Sequence, residues 1–125
     1  MTRKYLIVDD SMVARMLLAN LLRSPANHIT EAPDGETALE LLKADSSYTA
    51  VFLDITMPGI DGIEVLRQIK QKTPDLPVIM VTADIQKQTI ITALAAGAFE
   101  VIAKKIDQDR IHAVLGRLFG DEAAI

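Results

Sequence analysis

The sequence predicts an α/β protein, a three-layer α/β/α sandwich around a five-stranded parallel sheet. Five short, mostly apolar runs alternate with five segments whose apolar residues recur at helical spacing. The more apolar runs lack polar alternation, as expected for strands covered by helices on both faces. The chain has 125 residues, the size of one domain, and no linker or repeat interrupts it. We assign residues 1–120 to this domain and residues 121–125 to a short C-terminal tail.

The first strand is predicted over residues 5–8, a run of strand-favouring residues that ends at the acidic pair Asp9-Asp10. Ser11 is placed to cap the first helix, which a Ser-Pro pair ends. A second strand, over residues 28–32, is more polar and suits an edge position. A Pro-Asp-Gly turn then leads into the second helix.

The third and fourth strands are both predicted to end in polar groups. The third, over residues 51–54, is a bulky apolar run that stops at Asp54 and enters a turn containing Pro and Gly. The third helix ends near a Thr-Pro pair, because a proline disfavours helical geometry in the residue before it. The fourth strand, over residues 78–82, is apolar until Thr82.

The last elements follow the same pattern. Asp84 is placed as the cap of the fourth helix, which Gly97 ends. The fifth strand, over residues 99–103, runs directly into Lys104, and Asp107 caps the fifth helix.

Composition narrows the function classes. The net charge is -4 and no basic cluster exceeds two residues, which argues against nucleic-acid binding. The chain has no cysteine, so disulfides, thiol catalysis and cysteine-ligated metals are excluded. The apolar run near the N-terminus is too short for a signal sequence or a membrane span, and we expect a cytoplasmic protein without membrane contact.

Polar side chains from separate strands are predicted to meet at one edge of the sheet, because the carboxyl ends of parallel strands share that edge. They are Asp9, Asp10, Asp54, Thr82 and Lys104. Three neighbouring carboxylates invite a hard divalent cation, and oxygen ligands without paired His or Cys favour Mg²⁺ over zinc. A carboxylate beside Mg²⁺ and an ammonium group suits phosphoryl transfer, so Asp54 is predicted to become an aspartyl phosphate. Thr82 would donate its hydroxyl to one phosphoryl oxygen, and Lys104 would pair with another.

In these residues and their spacing, the sequence resembles the receiver domains of two-component response regulators, of the single-domain, CheY-like kind. The resemblance covers nearly the whole chain. Asp9-Asp10 resembles the family's acidic pair, Asp54 and the following Met-Pro-Gly its phosphoacceptor and loop, Thr82 its switch hydroxyl and Lys104 its invariant lysine. It implies the flavodoxin-like strand order 2-1-3-4-5.

The resemblance also implies a function. The protein would be a magnesium-dependent phosphoacceptor, phosphorylated by a sensor histidine kinase or phosphotransfer protein, with a phosphatase as a further partner. A downstream protein would read it through the fourth helix, fifth strand and fifth helix. Asp10 and Asp54 would ligate Mg²⁺ directly with the backbone carbonyl of Thr56, and Asp9 through water. Thr56 and Asp84 would tune the lifetime of the phosphoryl group, although Asp84 serves equally well as a plain helix cap.

Two positions depart from the family pattern. Lys105 stands where the family usually has proline, often after a cis peptide, and a non-proline cis bond costs roughly 3 kcal/mol. We therefore expect the loop after the fifth strand to run differently. Val101 stands where the family usually has Tyr or Phe, so switching is expected to rely on Thr82 and backbone shifts.

Alternatives come from other classes. Phosphohydrolases with an aspartyl nucleophile place a second acid two residues later, where this chain has Thr56. A flavodoxin-like cofactor binder is disfavoured because Asp-Asp-Ser after the first strand would repel a phosphate. A pseudo-receiver, a protein-interaction module that is never phosphorylated, is the main alternative. We expect no enzyme acting on external substrates, only a switch that catalyses its own phosphorylation and dephosphorylation.

Overall fold

The computed structural model describes residues 2–120, so the predicted tail 121–125 lies outside the described residues. Strands and helices alternate along the described chain. They are β1 (Arg3–Val8), α1 (Met12–Leu22), β2 (Asn27–Ala32), α2 (Gly35–Ala44), β3 (Ala50–Leu53), α3 (Gly62–Lys72), β4 (Val78–Thr82), α4 (Lys87–Ala95), β5 (Glu100–Ala103) and α5 (Gln108–Phe119).

The sheet has five strands in the order β2-β1-β3-β4-β5, and every pairing is parallel. The predicted fold class and the edge position of β2 are therefore confirmed. Val8 at the end of β1 is in register with Leu53 at the end of β3. The backbone N–H of Asp54 continues this register by donating to the Val8 carbonyl at 2.9 Å. The residues that follow β1 and β3 consequently emerge side by side.

Alternate strand residues point into two separate cores, because successive side chains of a strand face opposite sides of the sheet. One core lies under α2, α3 and α4, and includes Leu6, Leu53, Met80, Ala38, Leu66 and Ala93. The other lies under α1 and α5, and includes Ile7, Phe52, Val81, Leu22 and Ile111. No helix within residues 2–120 is long and apolar enough to cross a membrane.

Side-chain caps start α1 and α5 at the residues that the sequence predicts. The Ser11 hydroxyl accepts a hydrogen bond from the backbone N–H of Ala14 at 3.1 Å. Asp107 accepts from the backbone N–H of Arg110 at 2.9 Å. These contacts satisfy N–H groups that would otherwise lack partners in a first helical turn.

The prediction that Asp84 caps α4 is wrong. The helix begins at Lys87, and its cap residue Gln86 makes no side-chain cap hydrogen bond. Asp84 Oδ1 instead accepts from the backbone N–H of Gln86 at 3.1 Å. This bond to the second residue along the chain closes a local turn, which competes with helix formation and delays the start of α4. Ala93 is the buried residue of α4, so the helix is weakly anchored to the core.

Tyr5 carries an unusual group in the core under α1 and α5. Its side chain is fully buried, and within residues 2–120 its hydroxyl is the buried side-chain oxygen that lacks a hydrogen-bond partner. A buried polar group without a partner costs about 1–3 kcal/mol. We expect Tyr5→Phe, which removes this group and keeps the ring, to raise the free energy of unfolding by about 1 kcal/mol in urea titrations. Tyr48→Phe is the control and should bring no gain; a Tyr5→Phe protein less stable than the parent would contradict the prediction.

Candidate functional site

Three carboxylates meet at the carboxyl edge of the sheet. Asp9 follows β1, Asp54 follows β3, and Asp10 is the next residue after Asp9. One carboxylate oxygen from each residue lies within 4.8 Å of the other two. Asp9 and Asp54 are each only 5% exposed, whereas Asp10 is open to solvent. The parallel register of β1 and β3 causes this convergence, because it ends both strands at the same level.

Lys104 provides the positive charge of the site. Its Nζ lies 2.7 Å from Asp9 Oδ2 and 3.3 Å from Asp54 Oδ2. Its backbone N–H donates to the carbonyl of Thr82 at 2.8 Å, which places the residue directly after β5 and against the end of β4. The structure thus brings Asp9, Asp10, Asp54 and Lys104 into one cluster, as the sequence predicts.

The electrostatics of the cluster are unbalanced. Burial raises the pKa of Asp54, the neighbouring charge of Asp9 raises it further, and Lys104 opposes both effects. Burial alone would lower the pKa of Lys104, but its hydrogen bond to Asp9 and the charges of both acids outweigh burial and raise it. When every group is ionised, three carboxylates face one ammonium group, which leaves two negative charges in excess.

These donors fit a hard divalent cation. All three are carboxylates. Because the Asp10 side chain is exposed, water molecules can also bind a cation at this site. The excess negative charge gives a cation a net attraction to the site. Mg²⁺ prefers oxygen ligands and retains several waters, so the donor set matches that ion.

The backbone around Asp54 is held by a close packing contact. The turn after β3 is closed by a hydrogen bond from the backbone N–H of Gly62 to the carbonyl of Ile55, at 2.8 Å. A Cβ atom on Gly62 would lie 2.1 Å from the carbonyl oxygen of Asp54 and 2.7 Å from the Cα of Ile55. Only glycine allows the start of α3 to approach the acidic residue this closely. The sequence indicates a turn here but does not reveal this contact.

Thr82 and Asp84 are linked to each other. Thr82 ends β4 and is buried, and its hydroxyl oxygen accepts a hydrogen bond from the backbone N–H of Asp84 at 3.0 Å. Asp84 Oδ2 accepts a hydrogen bond from the hydroxyl of Thr89 on α4 at 2.9 Å. A short chain of hydrogen bonds therefore runs from the end of β4 to the first turns of α4. The roles of Thr82 and Asp84 toward a phosphoryl group stay predictions.

Thr56 and Val101 lie outside the carboxylate cluster. Thr56 is exposed, two residues beyond Asp54 in the turn after β3. Val101 is in register with Met80 on β4, and its half-buried side chain packs against the core under α2, α3 and α4. The expectation that switching proceeds without a ring at Val101 stays a prediction, as does the tuning role of Thr56.

The loop after β5 corrects one expectation. The Lys104–Lys105 peptide bond is cis although Lys105 is not proline, so the expected change in the course of the chain at this bond is wrong. Contacts on its N-terminal side fix Lys104, whose backbone is tied to Thr82 and whose side chain is tied to Asp9. From the sequence, a cis peptide bond is expected only before proline, and the contacts of Lys104 cannot be read from the residue types.

Arg15 contacts the site and is not indicated by the sequence. Its Nη1 donates to the backbone carbonyl oxygen of Asp9 at 2.7 Å, and its Nε donates to Glu31 Oε1 at 3.1 Å. The contact with Asp9 is made to a backbone atom, which every residue offers. Residue types and spacing therefore give no signal for it.

Comparisons with known proteins agree with this geometry. The family model of the response regulator receiver domain matches residues 5–116. Chemotaxis protein CheY-3 of Vibrio cholerae is 38% identical over 119 residues, covering 93% of this chain and 91% of the relative.

Solved structures of receiver domains have a similar fold. A CheX–CheY–BeF₃–Mg²⁺ complex from Borrelia burgdorferi has a TM-score of 0.88 at 33% identity, covering 94% of this chain and 89% of the matched one. Response regulator TrrA from Thermotoga maritima in complex with Mg²⁺–BeF has a TM-score of 0.84 at 32% identity, covering 94% and 100%. With its fold, acidic cluster and lysine in the arrangement described above, the chain belongs to the response regulator receiver domain family.

Proposed function

We propose that this protein is a phosphoacceptor switch of a two-component phosphorelay, working in the cytoplasm, in which Asp54 receives a phosphoryl group from a histidine kinase or a phosphotransfer protein. The observation that carries the proposal is the cluster itself. A nearly buried carboxylate stands within 4.8 Å of two further carboxylates and 3.3 Å from a lysine ammonium. A carboxylate needs offsetting positive charge before an anionic phosphoryl group can approach. Lys104 provides one such charge, and the carboxylates can bind Mg²⁺, which would provide the other.

Each side chain has one task in this proposal. Asp10 and Asp54, with the backbone carbonyl of Thr56, would hold Mg²⁺, and Asp9 would hold it through water. Bound Mg²⁺ supplies positive charge that offsets the charge of the phosphoryl group. The Asp54 carboxylate attacks phosphorus, the bond from phosphorus to the donor nitrogen breaks, and an acyl phosphate forms on Asp54. Lys104 pairs with one phosphoryl oxygen and the Thr82 hydroxyl donates to another.

Partners are proposed from two exposed apolar surfaces. The first surface lies on α1, which begins two residues after Asp10. It consists of four apolar side chains that are each at least half exposed: Met12, Val13, Met16 and Leu17. A phosphodonor protein must approach Asp54 closely, so we assign this surface to it. Ile91 and Leu94 on α4, with Phe99 before β5, form the second exposed surface. We assign the α4, β5 and α5 face to the downstream target; a phosphatase would also need access to Asp54.

Intact mass spectrometry tests the proposal. After incubation with Mg²⁺ and acetyl phosphate, we expect the added mass of one phosphoryl group. Asp54→Asn should remove the adduct completely, and excess EDTA should prevent it, because the acceptor or the cation is lost. Asp109→Asn, which alters an exposed residue of α5 outside the cluster, is the matched control and should retain the adduct.

The same experiment distinguishes the alternative. An adduct that persists in Asp54→Asn would place the acceptor elsewhere and contradict the proposal. Absence of any adduct, together with absence of Mg²⁺ binding in calorimetry, would indicate a pseudo-receiver that binds its partners without phosphorylation.

A further inference from the structure

Arg15 joins three elements at the carboxyl edge of the sheet. Its side chain leaves α1 and is only 15% exposed. Side chains of helices point toward the helix N-terminus, which directs this one toward the ends of β1 and β2. Nη1 reaches the carbonyl oxygen of Asp9 at 2.7 Å, and Nε reaches Glu31 on β2 at 3.1 Å.

The contact with Asp9 acts on the backbone between the two acidic residues. The carbonyl oxygen of Asp9 belongs to the peptide group that joins Asp9 to Asp10. Because a peptide group is planar, anchoring its oxygen also fixes the direction in which Asp10 leaves it. The Asp9 carboxylate is held separately, by the backbone N–H of Ser11 at 2.9 Å and by Lys104 at 2.7 Å. Arg15 therefore adds a constraint that these two contacts do not provide.

We propose that Arg15 is a positioning residue for the magnesium site. Its guanidinium holds the Asp9-Asp10 peptide in the orientation that keeps the two carboxylates together with that of Asp54. Arg15 has donors and no acceptor, so it acts through the backbone of the acidic pair and not as a ligand. The inference rests on the proposed function, because it concerns the same cation.

Charge and geometry predict opposite effects when Arg15 is replaced. A guanidinium beside the cluster repels an incoming cation, so removal of its charge alone would tighten Mg²⁺ binding. Loss of the anchor on the peptide group would free Asp10 and weaken binding. Residues that orient metal ligands typically contribute about 10-fold or more to metal affinity. The direction of the change therefore separates the two effects.

Isothermal titration of the full chain with Mg²⁺ measures that direction. We expect Arg15→Met, which keeps an unbranched stem and loses every donor, to bind Mg²⁺ roughly 10-fold more weakly than the parent. Arg15→Lys keeps the charge and can replace only part of the forked contact, so we expect an intermediate loss. Glu31→Gln is the matched control: it removes the charge of the other Arg15 partner, leaves the bond to Asp9, and should change the affinity less than twofold.

The unfolding temperature in EDTA is measured for the same variants. If Arg15 only attached α1 to β2, its replacement would lower the unfolding temperature without changing the affinity for Mg²⁺. If Arg15→Met and Glu31→Gln weaken Mg²⁺ binding equally, or if Arg15→Met binds as tightly as the parent or more tightly, the inference is overturned. Should Arg15→Met fail to fold, an affinity of Arg15→Lys within twofold of the parent overturns it as well. Absence of Mg²⁺ binding by the parent would overturn the proposed function and this inference together, whereas binding that is insensitive to Arg15 overturns the inference alone.

Discussion

Replacing Gly62 with alanine is expected to lower the free energy of unfolding by roughly 3 kcal/mol. The added methyl group would lie 2.1 Å from the carbonyl oxygen of Asp54 and 2.7 Å from the Cα of Ile55. Both are backbone atoms at the end of β3, so no side-chain rotation relieves the overlap. Either α3 or the end of β3 must move, and the hydrogen bond from Gly62 to Ile55 is lost or lengthened. Urea unfolding followed by far-UV circular dichroism measures the loss.

Gly116→Ala is the matched control for this substitution. Gly116 lies inside α5, and no neighbouring atom lies within 4 Å of the place its Cβ would take. Alanine is a better helix former than glycine, so this variant should be stabilised by about 1 kcal/mol. Equal effects of the two substitutions would mean that the contact with Asp54 does not restrict residue 62.

Replacing Asp54 with asparagine is expected to stabilise the magnesium-free protein at neutral pH, because ionisation of this buried carboxylate opposes folding. Burial and the charge of Asp9 raise the pKa of Asp54 above its usual value of 3.8, despite Lys104. The folded state therefore keeps this proton to higher pH than the unfolded state does. Ionisation of Asp54 consequently lowers stability as the pH rises from about 3.8 through the raised folded value. Asparagine is never ionised and avoids that loss.

The pH dependence makes this prediction specific. In urea unfolding with EDTA, the stability difference between Asp54→Asn and the parent should be small near pH 4, grow as the pH rises, and then become constant. Glu40→Gln, a change at an exposed position of α2, should stay within about 0.5 kcal/mol of the parent throughout. A difference that does not vary with pH would show that Lys104 balances burial and Asp9, and an Asp54→Asn protein that becomes less stable than the parent as the pH rises would show that Lys104 outweighs them; either result contradicts the prediction.

Much of the site could be predicted from the sequence, because the sheet topology determines where the residues at the strand ends lie. Polar residues directly after apolar strands identify Asp9, Asp54 and Lys104, and a parallel sheet brings the carboxyl ends of its strands to one edge. The convergence of the acidic residues follows from these patterns, and the strand order follows from the family resemblance.

Other features could not be predicted, because they depend on contacts with particular backbone atoms. The Arg15 guanidinium donates to the carbonyl oxygen of Asp9, and Gly62 lies against the carbonyl oxygen of Asp54; every residue has such a carbonyl, so residue types do not indicate these contacts. Aspartate favours both helix caps and local turns, so the sequence alone does not decide between them at Asp84; the backbone N–H of Gln86 donates to Asp84 Oδ1, which forms the turn. The cis bond before Lys105 has no sequence signal without proline.

Hydrogen bonds through Asp84 connect the first turn of α4 to the end of β4. The first turn of α4 has no side-chain cap of its own and is attached through Asp84, which bonds Thr82, Gln86 and Thr89. Because Ala93 is the buried residue of that helix, opening its first turn exposes little apolar surface and costs little free energy. The free energy of that opening depends on the position of the Thr82 hydroxyl, because this hydroxyl accepts the hydrogen bond from Asp84. We therefore expect amide hydrogen exchange at the start of α4 to respond to changes at the end of β4, where Thr82 accepts the hydrogen bond from Asp84.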